Sequence, residues 1–494
     1  MVAFAGLALA FALSQAIWVD ETTQLSGLTL SFADQLGWLI GNSNPIPGVP
    51  PDRMPPLSYW LGALWAQCFG LSELSMRIFG IFAIACGAPA IFLAAREISP
   101  KSRLLPALAL AIVYLAPGTI VQAGEIRAYP LFFSLSAWAC LAYIRAISRS
   151  DEPVWLIGLG LFCVLAAYTH FFGVVMAGVL WLSLLLVRFA QKEPVFPVIV
   201  GCGIAIALCS GLVPFILASV RLSAGGSSAD PSLVEAIREG ARMAARLWMH
   251  GVHWSSPLLT ALALLGMAIL LVIAVVSLRR GSPLTAGLFL PLVLAMGLLN
   301  VLNLVIGGFN VLSPSYNIWL VPFLSLFALS ALTVQWGRGL ALFGAMCLTG
   351  AHLGADVQLM RHSSFYTHGP GDWLASEITD AESTIVVHDS SGNWGHVYFP
   401  LYYLTGGRLT QTLRDDSGAH QLIRPGGTAP FAGSVQDFDT QIYVRTRSLD
   451  SNELSARLID PGDCGIEWMA PDDRREAEVR SYCAFEGATI AIVR

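Results

Sequence analysis

Two adjacent carboxylates, Asp20 and Glu21, follow directly on the apolar run from Val2 to Trp18. An acidic pair at the exit of a membrane-entering segment stands where a lipid-embedded enzyme meets water. A carboxylate at such a boundary suits proton abstraction near neutral pH, which makes Asp20 the candidate catalytic centre. The competing reading is that both acids cap the next helix or solvate a loop end, since membrane proteins often carry acids there. Three later stretches also set polar or turn-forming residues into apolar surroundings: Met54-Pro55-Pro56-Leu57, Glu125-Ile126-Arg127-Ala128-Tyr129 and Tyr168-Thr169-His170. Glu125 and Arg127 interrupt an apolar hairpin, and charges near a bilayer must be partnered or line a wet cavity. Either they pair locally and close the hairpin, or Arg127 holds an anionic leaving group while Glu125 orients it.

The elements that must position these groups follow from composition. The chain has 494 residues, of which 55% are hydrophobic and only 12% charged, and a mean hydropathy of +0.64. A soluble domain is about 25% charged, so lipid solvates most of this chain. The net charge of -5 and the lack of a basic run speak against nucleic acid. No zinc-spaced Cys/His set, P-loop or dinucleotide fingerprint occurs. Cysteines 68, 86, 140, 163, 202, 209 and 347 lie in or beside apolar runs, whereas Cys464 and Cys483 fall in a polar region and would pair in an oxidising compartment.

Apolar runs of roughly 17–25 residues predict about eleven spans. They lie near 2–18, 75–95, 104–120, 130–148, 153–169, 172–188, 195–220, 257–278, 284–306, 316–333 and 338–355. The run 153–190 is too long for one crossing and divides at Tyr168-Thr169-His170-Phe171. The first run has a signal peptide's length without its basic start, and reads as a retained anchor. One set of short loops collects Arg96, Lys101, Arg103, Arg145, Arg149, Arg188, Lys192, Arg279, Arg280 and Arg338, which makes that side cytoplasmic. The N-terminus is then inside. The acidic pair and everything after the last span are outside.

Two outer segments interrupt the spans. In 19–74 the Pro-rich stretch Asn44 to Pro56 reads as a loop, and Leu57 to Gly70 as a helix lying on the membrane. In 221–256, Asp230-Pro231 reads as a helix start. Arg238, Arg242 and Arg246 then recur every fourth residue, opposite Leu233, Ile237, Ala244 and Trp248. That stripe suits lipid headgroups, or a specific hold on a lipid-linked substrate. The transmembrane domain therefore covers 1–355 and a soluble α/β domain 356–494, where runs such as Thr384-Ile385-Val386-Val387 predict strands. That domain shows no nucleophile motif. Its His388, Asp389 and His396 lack the spacing of a metal site.

In their order along the chain these stretches resemble the GT-C superfamily of membrane glycosyltransferases. The resemblance is to the branch that holds protein O-mannosyltransferases and the lipid A aminoarabinose transferase. More narrowly, it is to bacterial relatives named after the rhizobial lipopolysaccharide galacturonosyltransferases. The residues that carry it are Asp20-Glu21, Pro55-Pro56-Leu57-Ser58-Tyr59 and Ser72-Glu73-Leu74-Ser75-Met76-Arg77. They continue with Glu125-Ile126-Arg127-Ala128-Tyr129, Tyr168-Thr169-His170-Phe171 and Ser313-Pro314-Ser315-Tyr316. The C-terminal domain adds little to the match, and Met54 stands where many relatives carry histidine.

The resemblance implies an α-helical polytopic membrane protein of the GT-C fold with a C-terminal soluble α/β domain. It implies transfer of a hexosyl or pentosyl group from a polyprenyl-phosphate carrier to a glycan, lipid or protein acceptor, with inversion. Transfer would occur on the outer face of a bacterial inner membrane. Asp20 would be the general base and Glu21 would orient it or the acceptor. Arg127 would stabilise the departing polyprenyl phosphate, assisted by Glu125, Tyr129 and His170. Tyr59, Arg77, Tyr316, Arg238, Arg242 and Arg246 would contact acceptor or membrane lipid. No cofactor is certain; a divalent metal ion stays open, because a phosphate acceptor would need no base and Asp20 would then position or bind such an ion. The alternative from another class is a transporter or flippase of lipid-linked saccharides. That class expects polar groups at mid-membrane and an internal repeat, and the chain shows neither. A non-catalytic scaffold with a polymer-binding outer domain is a third reading, for which Asp20 would be dispensable.

Overall fold

In the computed structural model of the chain, the described residues are 1–361 apart from 16, 44, 46–48, 50, 224–232, 250–255, 280–282 and 307–310; beyond these they are 374–375, 378–389, 395–414, 419–424, 427–446 and 488–493. Two compact units result, Met1–Ala12 with Arg53–Arg361 and Leu13–Asp52 with His362–Arg494.

The apolar runs become helices because lipid offers the backbone no hydrogen-bonding partner and a helix satisfies its amides internally. In chain order α1 (Val2–Ala12) is followed, in the second unit, by α2 (Val19–Gly27) and α3 (Phe32–Leu39). The first unit resumes with α4 (Leu57–Phe69), α5 (Glu73–Ala85), α6 (Ala88–Ile98), α7 (Leu104–Tyr114) and α8 (Pro117–Gly124). Next come α9 (Tyr129–Ser148), α10 (Val154–Thr169), α11 (Phe172–Ala190), α12 (Phe196–Cys209) and α13 (Val213–Ser223). The bundle ends with α14 (Leu233–Met249), α15 (Pro257–Leu278), α16 (Pro283–Ile306), α17 (Leu320–Leu329) and α18 (Arg338–Arg361).

Among the described residues, 7 helical stretches are long and apolar enough to cross a membrane, or 8 if α7 and α8, bent by 58° at their junction, form one span. The chain is thus a multi-pass membrane protein, with fewer full-length spans than the eleven that its apolar runs predict. The shortfall lies at α1, α10 and Leu320–Thr333, which are apolar but shorter than a full crossing. Hydropathy counts residues on either side of a helix end, whereas a span needs unbroken helix. The predicted division of 153–190 is observed: α10 stops at Thr169 and His170 takes extended backbone, φ -151° and ψ 138°. Gly173 permits this tight reversal, since a Cβ there would lie 2.3 Å from the carbonyl carbon of Ala166.

α14 packs on α8, α16 and α17. Its buried face is Ala236, Gly240, Met243, Leu247 and Trp248, while Arg238, Arg242 and Arg246 are exposed. Ile237, placed by its spacing opposite the arginines, is instead 58% exposed. Close approach decides the face: a Cβ on Gly240 would sit 2.7 Å from the Asn300 amide nitrogen of α16. The far end is held by Trp248, whose Nε1 donates to Ser325 Oγ at 3.0 Å and whose carbonyl accepts from His352 Nε2 at 2.8 Å. The expected helix start at Asp230-Pro231 lies outside the described residues.

In the second unit, strands β1 (Thr384–Asp389), β2 (Thr410–Arg414), β3 (His420–Arg424), β4 (Gly427–Pro430), β5 (Thr440–Thr446) and β6 (Ala488–Val493) form one sheet in the order β4-β3-β2-β1-β5-β6. β1 runs parallel to β2 and β5, and the remaining pairs are antiparallel. Side chains alternate across the sheet. Val386 packs with Leu374, Val397 and Leu401 on one face, and Ile385 and Val387 pack with Val435 and Tyr443 on the other. Val397 and Leu401 belong to α19 (Gly395–Leu404), and α2 packs against this helix. The acidic-pair helix therefore clusters with the sheet domain. The predicted border at Asp356 falls within α18, which runs on to Arg361. Cys464 and Cys483 lie outside the described residues.

α5 crosses the turn between α8 and α9 at Gly80, where a Cβ would meet the Ala123 carbonyl at 2.7 Å and the Glu125 carbonyl at 3.2 Å. Gly80→Ala is expected to destabilise the protein by about 1–3 kcal/mol, read as a lower Tm in detergent. Gly178→Ala is the control, since its Cβ meets nothing within 4 Å and alanine favours helix. Equal Tm values for both variants would contradict this close approach.

Candidate functional site

The first unit gathers several predicted residues around the junctions of α8 with α9 and α10 with α11. Tyr129 opens α9 and is 5% exposed, and His170 in the break after α10 is 3% exposed. Their ring centroids are 5.5 Å apart. Tyr316 lies 5.4 Å from His170 and 6.1 Å from Tyr129. Phe132 stacks on the imidazole at 5.2 Å, and Phe172 closes the cluster at 5.3 Å from Tyr316. Three motifs far apart in sequence thus meet in one aromatic cluster.

His170 is neutral there. Burial, and then the charge of Arg127, pushes its pKa down to about 3. The Phe172 backbone N–H donates to Nδ1 at 3.2 Å, so the proton resides on Nε2, and the imidazole can only donate from that side. Arg127 itself is 9% exposed. A buried guanidinium whose charge acts on a neutral N–H donor, itself clustered with two tyrosines, is an arrangement that can stabilise a growing negative charge.

Glu125 is tied into the same turn by Gln122, whose Nε2 donates to Glu125 Oε1 at 3.2 Å and to Ser315 Oγ at 3.1 Å. Arg77 stands behind it, 2% exposed. Its Nη1 donates to the Gly124 carbonyl at 2.7 Å and its Nε to Glu73 Oε1 at 2.8 Å. Tyr59 is fully buried in α4. The sequence reading gave Arg77 and Tyr59 as contacts to acceptor or lipid; in the fold both are buried, and Arg77 supports the end of α8.

Of the arginine stripe, Arg242 pairs with Glu239 on the exposed face of α14, and Arg238 is exposed. Arg246 instead lines a small, half-open cleft that also takes in Thr119, Gln122, Pro314 and Ser315. A guanidinium with two hydroxyl groups in such a cleft suits an anionic oxygen group. Sequence reading missed Thr119 and Gln122. The only signal was a lone amide in an otherwise apolar run, which is not specific.

Asp20 and Glu21 occupy the first turn of α2 in the second unit. Glu21 is 1% exposed and Asp20 is half-buried. Carboxylates in a first turn are favoured by the unpaired amides and dipole of the helix N-terminus, and Trp18 at the N-cap contributes no side-chain cap. Among the described residues, no group of three His, Cys, Asp or Glu side chains could hold a metal ion. His388 is buried and hydrogen-bonded to Gln411 Oε1 at 2.9 Å; the His396 side chain lies outside the described residues.

No protein-family model and no curated protein sequence matches the chain. Its fold is similar to that of ArnT from Cupriavidus metallidurans in the apo state, with a TM-score of 0.55 at 13% identity over 99% of this chain and 97% of that one. The same ArnT bound to undecaprenyl phosphate gives a TM-score of 0.51 at 14% identity, over 99% and 97% of the two chains. AglB, an oligosaccharyltransferase from Archaeoglobus fulgidus in complex with an inhibitory peptide and a dolichol-phosphate, gives 0.42 at 14% identity over 83% of this chain and 64% of that one. The first two likenesses show a shared fold: the chain has the fold of ArnT over nearly its whole length.

The neutral state of His170 has a pH signature. In the unfolded chain it takes up a proton near its ordinary 6.5, whereas in the fold it does so only at about 3. Its stabilising contribution is therefore complete above pH 6.5 and is lost as pH falls towards 3. The stability of wild type relative to His170→Gln, followed as Tm against pH, is expected to decline over that window. A difference independent of pH would show that His170 is not held neutral.

Proposed function

We propose that the protein is an integral-membrane glycosyltransferase that moves a sugar from a polyprenyl-phosphate carrier to an acceptor hydroxyl at the extracytoplasmic face. The observation that carries this reading is the buried Arg127 whose charge acts on neutral His170, the latter clustered with Tyr129 and Tyr316, on an ArnT-like fold. The ArnT fold-neighbour bound to undecaprenyl phosphate supports the choice of carrier. Bases gathered in one set of short loops support a cytoplasmic N-terminus and an external C-terminal domain.

In this mechanism the acceptor oxygen attacks the anomeric carbon and the bond from that carbon to the carrier's phosphate oxygen breaks, with inversion. Asp20 takes the acceptor proton, and Glu21 orients Asp20 or the acceptor. Arg127 stabilises the charge that builds on the departing polyprenyl phosphate, and His170 Nε2–H and the Tyr129 hydroxyl serve as donors to it. Glu125, held by Gln122, keeps the turn that presents Arg127 in register. The Arg246 cleft receives a lipid phosphate, with Thr119 and Ser315 as hydroxyl donors. Arg238 and Arg242 contact headgroups.

Purified protein in detergent, offered polyprenyl-phosphate sugars and a membrane extract as acceptor, should release free polyprenyl phosphate. Asp20→Asn is expected to lower that release about 10²–10⁴-fold at unchanged protein yield. Equal release from both proteins would remove Asp20 from the chemistry and point to Glu21 or to a phosphate acceptor. A transporter would return the donor intact. Arg246→Gln should raise KM for the donor and flatten its dependence on salt; an unchanged KM would remove the cleft from substrate binding.

A further inference from the structure

The helix that begins with the acidic pair is polar along its length and yet almost wholly enclosed. In α2, Glu21, Thr22, Thr23, Gln24 and Ser26 are each less than a tenth exposed. Burying a polar group is unfavourable unless it finds a hydrogen bond. Thr22 and Thr23 meet that demand within the helix, their hydroxyls donating to the carbonyls of Trp18 and Val19, each at 3.0 Å. At the other end Gln35 donates to the carbonyls of Gly27 at 3.2 Å and Leu30 at 3.4 Å, which closes the last turn of α2.

Gln24 differs. It is 3% exposed, and its Oε1 has no hydrogen-bond partner among the described residues. An amide oxygen left so would cost about 1–3 kcal/mol. Gln24 also follows Asp20 by four residues and Glu21 by three, so it shares a helix face with both carboxylates.

We propose that Gln24 is a specificity-determining residue, its amide taking a hydroxyl of the sugar substrate presented to Asp20; this rests on the glycosyltransferase reading above. The ligand class follows from the missing partner. An acceptor oxygen needs a donor, and an ionised phosphate or a lipid tail offers none. A sugar hydroxyl donates and accepts, which matches an amide carrying an acceptor at one end and donors at the other. An amide also reads a hydroxyl without competing for the proton that the base must take, as a third carboxylate would. The hydroxyl belongs either to the transferred sugar or to a glycan acceptor, and the two sources separate experimentally.

Gln24→Leu keeps the volume and removes the amide. Its Oε1 has no partner to lose among the described residues, and the variant is expected to match or exceed the wild-type Tm. Release of polyprenyl phosphate is then measured with donor varied at fixed acceptor, and the reverse. The expected result is a rise of about tenfold in KM for one substrate, the loss of a hydrogen bond or two, with kcat within about threefold. By contrast Asp20→Asn lowers kcat. A rise confined to the donor assigns the hydroxyl to the transferred sugar, and one confined to the acceptor assigns it to the acceptor glycan. A deoxy-sugar version of that substrate should lose the same factor with wild type and nothing further with Gln24→Leu. Unchanged KM for both substrates overturns the proposal, as does a Tm lowered by several degrees, which would give Gln24 a partner in the fold. Wild-type protein that releases no polyprenyl phosphate from any donor instead overturns the glycosyltransferase reading, and this proposal with it.

Discussion

A helix that ends inside a lipid-embedded bundle leaves carbonyl groups that no water can reach, and at the end of α8 that demand is met by Arg77. Its guanidinium reaches the Gly124 carbonyl at 2.7 Å while its charge is balanced by Glu73. The chain can therefore stop one helix, set out Glu125, Ile126 and Arg127, and start another within a few residues. Gly80 lets α5 lie against the same turn. Gln122 fastens its far side to Ser315. The charged groups of the first unit sit where they do because this turn is held from three directions.

The same requirement shapes the cluster around His170. The break after α10 leaves an imidazole among aromatic rings, where a charged ring would face both desolvation and the guanidinium of Arg127. The neutral tautomer is the stable one, with Phe172 N–H fixing which nitrogen bears the proton. A rigid N–H donor needs no reorganisation when negative charge develops nearby, the property that electrostatic stabilisation of a leaving group requires.

α2 handles buried polarity in another manner. Its threonines turn back on the helix, Gln35 closes its end, and α19 of the sheet domain supports it. The C-terminal domain is thus more than an appendage, because the helix bearing Asp20 and Glu21 belongs to the same compact unit. An enclosed helix of this kind presents its side chains in a defined order, and Gln24 gains its meaning from that order.

Much of this was legible in sequence. Low charge and long apolar runs are enough to require helices in lipid, and the break at Tyr168 to Phe171 showed because a run of that length cannot cross once. Short Thr-Ile-Val-Val stretches with turn residues announced the sheet. The order of the polar stretches resembles that in GT-C enzymes, and the likeness to the ArnT fold agrees with that resemblance. Tertiary structure alone decided how many runs are unbroken helix, which face of α14 is buried, and that Arg77 supports a turn. The last two depend on close approaches between residues distant in the chain: Gly240 on Asn300, and Gly80 and Arg77 on the turn at Ala123 and Gly124. Hydropathy and spacing report what a residue prefers as its surroundings. They carry no record of which neighbour supplies them.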